Sequence, residues 1–251
     1  MSEDLESLFY MAVEHLGGEK SLSGVSVPKQ SESINEKPNK QAETVIEPCK
    51  KQVENVNKKS DPKFNIPIGV SNHHVHLSQA DADTLFGKNY SFSELKPLSQ
   101  KGQFAYKECI ILAGPKGVVE RVRVLGPVRK QTQVELTTAD CFKLGLKAPI
   151  RLSGDLAGTP GCTLIGPAGS VQLESGCIVA KRHIHMNHFD AIRFGVRNNQ
   201  VVSLEVPGER GGVINNVSIR VDDSFTLECH LDTEEANALG ICGNNQIKMI
   251  K

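Results

Sequence analysis

One short pattern, a histidine, an apolar residue and a second histidine, occurs twice in the 251-residue chain and constrains its fold more than any other feature. It joins His74 to His76 in the first copy and His183 to His185 in the second. On a β-strand, residues two apart project from the same face, so each pair can direct two imidazoles at one site. The pattern therefore predicts two strands that each present a metal-chelating pair.

The two copies belong to a longer internal repeat. The histidine pairs lie 109 positions apart, and the block from Val134 to Gly145 aligns with the block from Cys229 to Gly240 at an offset of 95. In this alignment Glu135 falls opposite His230, and each of them precedes a polar helix start. A repeat of this size predicts two related β domains of about one hundred residues each.

Glu135 and His230 extend each histidine pair to three candidate metal ligands. Catalytic zinc sites commonly have three protein ligands, drawn from histidine and carboxylate, and one open position. We therefore expect two sets, which are His74, His76 and Glu135 in the first half and His183, His185 and His230 in the second. Two alternatives stay open: the halves exchange ligands across a shared cleft, or two closed zinc sites only stabilise the β domains.

Three neighbouring residues are interpreted as less central. His73 and His188 lie outside the two-residue spacing and are expected to be surface or supporting groups. Glu228 lies on the same strand face as His230, but no counterpart of Glu228 is identified in the first half.

Arg129 is the candidate anion-binding residue. It lies six positions before Glu135 and follows Gly126 and Pro127, which bend the chain and can bring its guanidinium near the metal. A planar guanidinium binds phosphate through two parallel hydrogen bonds. The sequence therefore predicts that Arg129 binds phosphate.

The N-terminal part of the chain differs in composition from the rest. In residues 2–16, apolar side chains recur at helical spacing after Ser2, Glu3 and Asp4, which suit the start of a helix. We expect an amphipathic helix in residues 1–18 and a flexible, polar linker in residues 19–63. The helix either packs on its own domain or binds a separate partner, and the long linker favours the partner.

From residue 64 onward, short runs rich in β-branched residues alternate with glycine and proline. They predict hairpins at residues 109–125 and 201–221 and a helix at residues 233–239. We place the first β domain at residues 64–150 and the second at 151–251, with an approximate boundary across which strands can exchange.

The charge balance argues against two classes of partner. The 29 basic residues match the 29 acidic ones, whereas charge-driven binding to nucleic acid or to a membrane surface needs a net basic footprint. No segment is apolar over the length of a bilayer, and the N-terminus lacks the positive charge of a secretory signal. We therefore expect a cytoplasmic protein with neither partner.

Four ordered motifs resemble the PduL-type phosphate propanoyltransferases, the phosphotransacylases of bacterial microcompartments. The motifs are NHHVHLS, VLGPVRKQTQVE, KRHIHM and ECHLDTEEANALG, and the resemblance covers nearly all of residues 65–251. One departure is His73, because the family usually has arginine at this position. An anion contact from this position is therefore not expected.

The resemblance implies a mainly β fold of two related β-barrel domains capped by short helices, with two Zn²⁺ ions per chain at their junction. By motif, His74, His76 and Glu135 resemble the ligands of one zinc, and His183, His185 and His230 those of the other. Arg129 resembles the phosphate-binding arginine. The implied reaction is the reversible conversion of a short-chain acyl-CoA and phosphate into acyl phosphate and CoA.

The resemblance also gives residues 2–16 a role. They resemble an encapsulation peptide, which binds microcompartment shell proteins and gathers the enzyme in the compartment lumen.

Two other functions would use the same candidate metal ligands. One is a dizinc ester or phosphoester hydrolase, which has no need for CoA, and the other is a scaffold that uses zinc only for folding. The sequence leaves open the preferred acyl chain, the direction of flux, the native metal and whether the protein is a homo-oligomer.

Overall fold

The computed structural model describes residues 65–242 and 246–250. The helix predicted in residues 1–18 and the linker predicted in residues 19–63 lie outside the described residues. The strands are β1 (Asn65–Ser71), β2 (His74–Ser78), β3 (Glu94–Pro97), β4 (Phe104–Ala113), β5 (Val118–Arg129), β6 (Gln133–Leu136), β7 (Ile150–Arg151), β8 (Thr163–Ile165), β9 (Ser170–Gln172), β10 (Cys177–Ala180), β11 (His183–Met186), β12 (Val201–Val206), β13 (Gly212–Val221), β14 (Glu228–Asp232) and β15 (Gln246–Ile250). The helices are α1 (Gln79–Phe86), α2 (Thr138–Leu144), α3 (His188–Phe194) and α4 (Thr233–Ala238). None of these helices has the length and apolar character needed to cross a bilayer.

The strands form one closed barrel and one open sheet. Around the barrel the order is β1, β14, β11, β13, β12 and β15, and β15 pairs back with β1. The open sheet has the order β7, β10, β6, β2, β5, β4, β8 and β9, with β3 paired to β4. The predicted mainly β architecture is confirmed, although only the second half closes completely and the first forms a half-barrel.

The strand pairing crosses the approximate boundary predicted between residues 64–150 and 151–251, across which strands can exchange. β1 lies in the barrel, where Ile66 and Ile68 are buried in the core. β7 to β10 lie in the open sheet, where Leu164 and Cys177 are buried. The internal repeat indicates only the spacing of the motifs along the chain. It could not indicate which sheet each strand joins, because that depends on which core buries the apolar face of the strand.

Alternation along the two histidine strands explains why the candidate ligands lie outside both cores. Val75 and Leu77 of β2 are buried in the core of the open sheet, and Ile184 and Met186 of β11 are buried in the core of the barrel. Since successive side chains of a strand point to opposite faces, the histidines project away from these cores. The fold thus directs both histidine pairs away from the two hydrophobic cores, where they can form a site.

Each motif strand leads directly into a short capped helix. Ser78 caps α1 after β2, and Asn187 caps α3 after β11. Thr137 and Asp232 cap α2 and α4, each in a capping box. Because these caps satisfy free backbone N–H groups, they fix the end of each ligand strand. α1 was not predicted, because its few buried apolar residues give only a weak helical period.

Candidate active site

The two histidine strands occupy equivalent places in their sheets. β2 lies between the parallel β5 and the antiparallel β6, and β11 lies between the parallel β13 and the antiparallel β14. The register places Glu135 opposite His74 and His230 opposite His183. The backbone therefore brings a third residue to each histidine pair in the same way in both halves.

The first triad consists of His74, His76 and Glu135, whose donor atoms lie within 4.8 Å of one another. Nε2 of His74 is 3.4 Å from Oε2 of Glu135. Nδ1 of His74 donates a 2.8 Å hydrogen bond to the backbone carbonyl of Asn72. Since a carbonyl only accepts, Nδ1 carries a proton, and in the neutral ring Nε2 is the unprotonated nitrogen that faces the triad.

The electrostatics of the first triad keep its carboxylate ionised. Burial raises the pKa of Glu135, but the charge and hydrogen bond of His74 outweigh burial and hold this pKa far below its usual range. Burial lowers the pKa of His74, and the Glu135 carboxylate more than offsets it, so the net pKa is raised. Burial and the neighbouring His74 lower the pKa of His76. Glu135 is thus an anion and His76 a neutral imidazole, the forms that bind metal.

The second triad consists of His183, His185 and His230, again with donor atoms within 4.8 Å of one another. Nδ1 of His183 donates a 2.8 Å hydrogen bond to the carbonyl of Lys181, two residues earlier, as His74 does to Asn72. Burial, together with the charge of His230, lowers the pKa of His183 to about 4. Burial and the charge of His183 lower the pKa of His185 to about 2. The two histidines of β11 are therefore neutral near pH 7.

Buried nitrogen atoms without hydrogen-bond partners show that both triads fit a metal ion. In the described part of the chain these atoms include Nδ1 of His76, both ring nitrogens of His185 and Nε2 of His230. A buried polar atom left without a partner costs about 1–3 kcal/mol, and coordination to a metal removes that cost. Three donors drawn from histidine and carboxylate match the ligand sets of catalytic zinc sites.

Both triads line a single cleft of about 780 Å³. The first triad comes from β2 and β6 of the open sheet, and the second comes from β11 and β14 of the barrel. Each set of three is thus assembled within its own half, and the two sets face the same space.

Arg129 and Arg220 line this cleft together with the triads and a third arginine, Arg123. Arg129, predicted from the sequence, is half-buried and donates a 2.9 Å hydrogen bond to Oγ of Ser153. Burial lowers the pKa of Arg129, the Glu135 carboxylate partly offsets this, and the positive charge of Arg220 lowers it further. Arg220 was not predicted, because its place opposite His185 depends on the pairing of β13 with β11. Its only sequence signal is a cation that alternates with the apolar residues Val217, Ile219 and Val221 of β13.

The comparisons with known proteins agree with this arrangement. The family model for phosphate propanoyltransferase matches residues 67–242, which include both triads and both arginines. The chain belongs to the phosphate propanoyltransferase family. The resemblance read from the four motifs is therefore confirmed.

Individual phosphate propanoyltransferases are similar over most of their length. The chain is 51% identical over 192 residues to that of Rhodobacter capsulatus, which covers 76% of this chain and 89% of the relative. It is 53% identical over 174 residues to that of Thermotoga maritima, covering 69% and 83%. It is 48% identical over 176 residues to that of Salmonella typhimurium, covering 70% and 83%.

In this member of the phosphate propanoyltransferase family, the first triad is supported by Gln133, two residues before Glu135. The Gln133 amide donates hydrogen bonds of 2.6 Å to Oε1 of Glu135 and 2.8 Å to Oγ of Ser153. Its carbonyl accepts from the backbone N–H of Gly154 at 2.8 Å. Ser153 also accepts from Arg129, so one network connects the cleft arginine to the candidate ligand Glu135.

Glu228 holds the equivalent position in the second half. It lies opposite His185 in the register, as Gln133 lies opposite His76. The expectation that Glu228 has no counterpart was therefore wrong, because the match lies in strand pairing rather than in residue type. Oε2 of Glu228 is 3.0 Å from Nε2 of His230, without the angle of a hydrogen bond, and it accepts from Ser99.

Two further histidines in the described part of the chain, His73 and His188, join neither triad. Nδ1 of His73 lies 3.1 Å from a carboxylate oxygen of Asp140, at the rim of the cleft. His188 is exposed and lies 2.5 Å from Asp223. Both histidines contact carboxylates, in keeping with surface or supporting roles.

Proposed function

We propose that the protein is a zinc-dependent phosphotransacylase that reversibly converts a short-chain acyl-CoA and phosphate into acyl phosphate and CoA. The observation that carries the proposal is two three-donor triads facing one cleft that also contains Arg129. The names of the relatives specify transfer of a propanoyl group to phosphate, which supports both the phosphate acceptor and a short acyl chain. A cleft of about 780 Å³ is within the usual range for small-molecule sites.

Two zinc ions would be held by the two triads, one by His74, His76 and Glu135 and the other by His183, His185 and His230. Bound zinc supplies positive charge that stabilises a leaving thiolate and phosphate oxygens. The carbonyl hydrogen bonds from His74 and His183 keep one nitrogen of each ring free of a proton and directed into its triad.

The acyl transfer needs no nucleophile from the protein. An oxygen of phosphate attacks the carbonyl carbon of the thioester, the new C–O bond forms, and the C–S bond breaks with its electron pair on the sulfur of CoA. Arg129 binds the phosphate through its guanidinium, and Ser153 keeps that guanidinium oriented. Holding both reactants in one cleft lowers the entropic part of the activation barrier for acyl transfer. The reverse reaction uses the same contacts.

Thiol release from acyl-CoA distinguishes this proposal from a dizinc hydrolase. The metal-loaded protein is incubated with propanoyl-CoA in the presence and absence of phosphate, and free thiol is measured. We expect release only with phosphate, together with acyl phosphate. Equal release without phosphate would instead support an ester hydrolase, in which water is the acceptor.

Chelation distinguishes an enzyme from a scaffold that uses metal only for folding. Mild removal of the metal should abolish acyl transfer while the far-ultraviolet circular dichroism of the β fold is retained. Loss of the β signal in step with the metal would support the scaffold.

Replacing Arg129 tests its assignment to phosphate. Arg129→Ala removes a charged hydrogen-bond donor, so the KM for phosphate should rise by about tenfold to a hundredfold while the KM for acyl-CoA changes little. Lys130→Ala is the matched control, because Lys130 is an exposed neighbour on the same strand end. An unchanged phosphate dependence in Arg129→Ala would contradict its role.

We also propose that residues 2–16 bind shell proteins and direct the enzyme to the lumen of a bacterial microcompartment. The support is the amphipathic sequence pattern and its resemblance to encapsulation peptides. Deleting residues 2–16 should leave acyl transfer in solution intact and abolish co-purification with shells. A truncated protein that is still fully encapsulated would refute the targeting role.

A further inference from the structure

Arg220 is placed on the cleft by strand alternation. In β13, Val217 and Ile219 are fully buried in the barrel core. Ser218 and Arg220 alternate with them and pair in register with His183 and His185. Because neighbouring strands pair residue by residue, the Arg220 side chain projects from the same face as the second triad. Its position is therefore fixed by the barrel rather than by a loop.

The guanidinium of Arg220 has no anionic partner at contact distance. Among the described residues it makes no hydrogen bond or ion pair, and its Cζ lies 5.5 Å from the centre of the Phe225 ring. Phe225 packs in turn against His185, with ring centres 4.0 Å apart. By contrast, Arg182 and Arg193 contact carboxylates at 2.6 and 2.8 Å. Arg220 is thus a half-buried cation that is held in place by an aromatic ring.

Charge in the cleft leaves Arg220 available to a ligand. Glu135 and, less strongly, Asp222 favour the charged form of Arg220 by their electrostatic effect. Glu135 is also a candidate metal ligand, and Asp222 is exposed and accepts hydrogen bonds from Ser224. A carboxylate that neutralises a bound cation offsets the charge of a nearby arginine less effectively. In the metal-loaded protein, Arg220 is then a half-buried cation facing a polar cleft without a dedicated counter-charge.

Arg129 has the same character in the other half. Its only hydrogen-bond partner in the described residues is the neutral Ser153. Arg129 and Arg220 line the same cleft although they come from different sheets, and the positive charge of Arg220 lowers the pKa of Arg129. Glu135 is the carboxylate that most favours the charged form of both arginines. With Glu135 holding a metal ion, the two guanidinium groups would favour a further anion between them.

We propose that Arg220 is a second phosphate-binding residue, which contacts the reacting phosphate from the barrel while Arg129 contacts it from the open sheet. The inference rests on the proposed phosphotransacylase function. A phosphate group has enough oxygen atoms to accept hydrogen bonds from two guanidinium groups at once. Such a contact from both halves would fix the direction in which the attacking oxygen points.

Direct phosphate binding tests this inference without turnover. Inorganic phosphate is titrated into the metal-loaded wild-type protein and into Arg220→Met, which retains an unbranched side chain to cover Phe225. We expect the dissociation constant for phosphate to rise about tenfold to a hundredfold. Arg197→Ala, which removes an exposed arginine of the same barrel, should bind phosphate like the wild type. Unchanged phosphate affinity in Arg220→Met would overturn the inference.

Steady-state kinetics separate the reacting phosphate from the phosphate groups of CoA. In Arg220→Met the KM for phosphate should rise and the KM for acyl-CoA should stay within about twofold. A rise confined to acyl-CoA would overturn the inference and assign Arg220 to CoA. Arg220→Lys, which retains the charge but loses the planar fork, should give an intermediate phosphate affinity.

Metal content and the thermal midpoint, measured for each variant, show whether a loss of binding reflects a loss of structure. If Arg220→Met fails to fold, the Arg220→Lys titration decides, and a phosphate affinity equal to that of the wild type overturns the inference. A wild-type protein that binds phosphate through Arg220 yet transfers no acyl group would contradict the proposed function alone.

Discussion

The two triads have equivalent backbone arrangements but differ in the charge of their side chains. Each has a histidine pair between a parallel and an antiparallel strand, and each pair is anchored by a hydrogen bond to a carbonyl two residues earlier. The third member is the anion Glu135 in the first triad and the imidazole His230 in the second. Equivalent geometry is thus combined with different charge.

The supporting residues reverse this difference. Glu135 is contacted by the neutral amide of Gln133, whereas His230 is contacted by the carboxylate of Glu228. One carboxylate therefore lies in or beside each triad. Glu135 is itself a candidate ligand in the first half, and Glu228 contacts the candidate ligand His230 in the second. The repeat thus preserves one negative charge at each candidate metal site, although a different residue carries that charge in each half.

The largest expected effect comes from removing equivalent histidines. His76→Ala and His185→Ala should each release one of two zinc ions per chain and lower acyl transfer by at least about a thousandfold, because metal-supplied charge is worth several kcal/mol in the transition state. Metal analysis and initial rates check this. His188→Ala, at an exposed histidine outside the triads, is the control. Loss of both ions from one substitution would show that the triads are a single coupled site.

A smaller effect is expected from the supporting residues. Gln133→Leu should weaken zinc binding at the first triad about tenfold to a hundredfold, and Glu228→Gln should do so at the second, since residues that orient ligands contribute this much to metal affinity. Competition with a chelator of known affinity measures each site. If Glu228→Gln binds two zinc ions as tightly as the wild type, the proposed charge equivalence is incorrect.

His74 and His183, the equivalent first histidines of the two pairs, should contribute to stability with opposite pH dependence when the metal is removed. His183 has a folded pKa of about 4, below its ordinary value of 6.5, so the unfolded chain binds the proton more tightly. Its contribution to stability is therefore lost as the pH falls from about 6.5 to about 4. His74 has a raised pKa, so its contribution is present at low pH and is lost as the pH rises through that pKa.

Denaturant unfolding of the metal-free protein at several pH values measures these contributions. The His183→Gln variant should lose less stability than the wild type between pH 6.5 and pH 4. The His74→Gln variant should lack the stabilisation that His74 provides at acidic pH. Identical pH profiles for the two variants would contradict the electrostatic difference between the triads.

The smallest effect concerns the capped helices, where the halves should behave alike. Thr137→Ala and Asp232→Ala each remove one capping box, which should lower the free energy of unfolding by about 1 kcal/mol. Urea unfolding of the metal-loaded protein measures the change. Thr138→Ala, at the next and exposed position, should have little effect. Clearly unequal losses would show that the two ligand strands end in different environments.

Local spacing and the repeat predicted the parts of the site that depend on nearby residues. The histidine pairs follow from strand alternation, and Glu135 and His230 follow from aligning the halves. Arg220 could not be predicted, because its place depends on which strands pair and in which register. Gln133 lies two residues before Glu135 on one strand, a local signal that was missed, whereas its bonds to Ser153 and Gly154 depend on the tertiary structure. The place of β1 in the barrel could not be predicted either, because β1 pairs with β14 and β15, which are distant in sequence.

Anomalous diffraction from crystals of the purified protein, measured at the zinc absorption edge, tests the central claim most directly. We predict two zinc peaks per chain, one within bonding distance of His74, His76 and Glu135 and the other within bonding distance of His183, His185 and His230. A single peak shared between the triads, or peaks that lie outside both of them, would contradict the account.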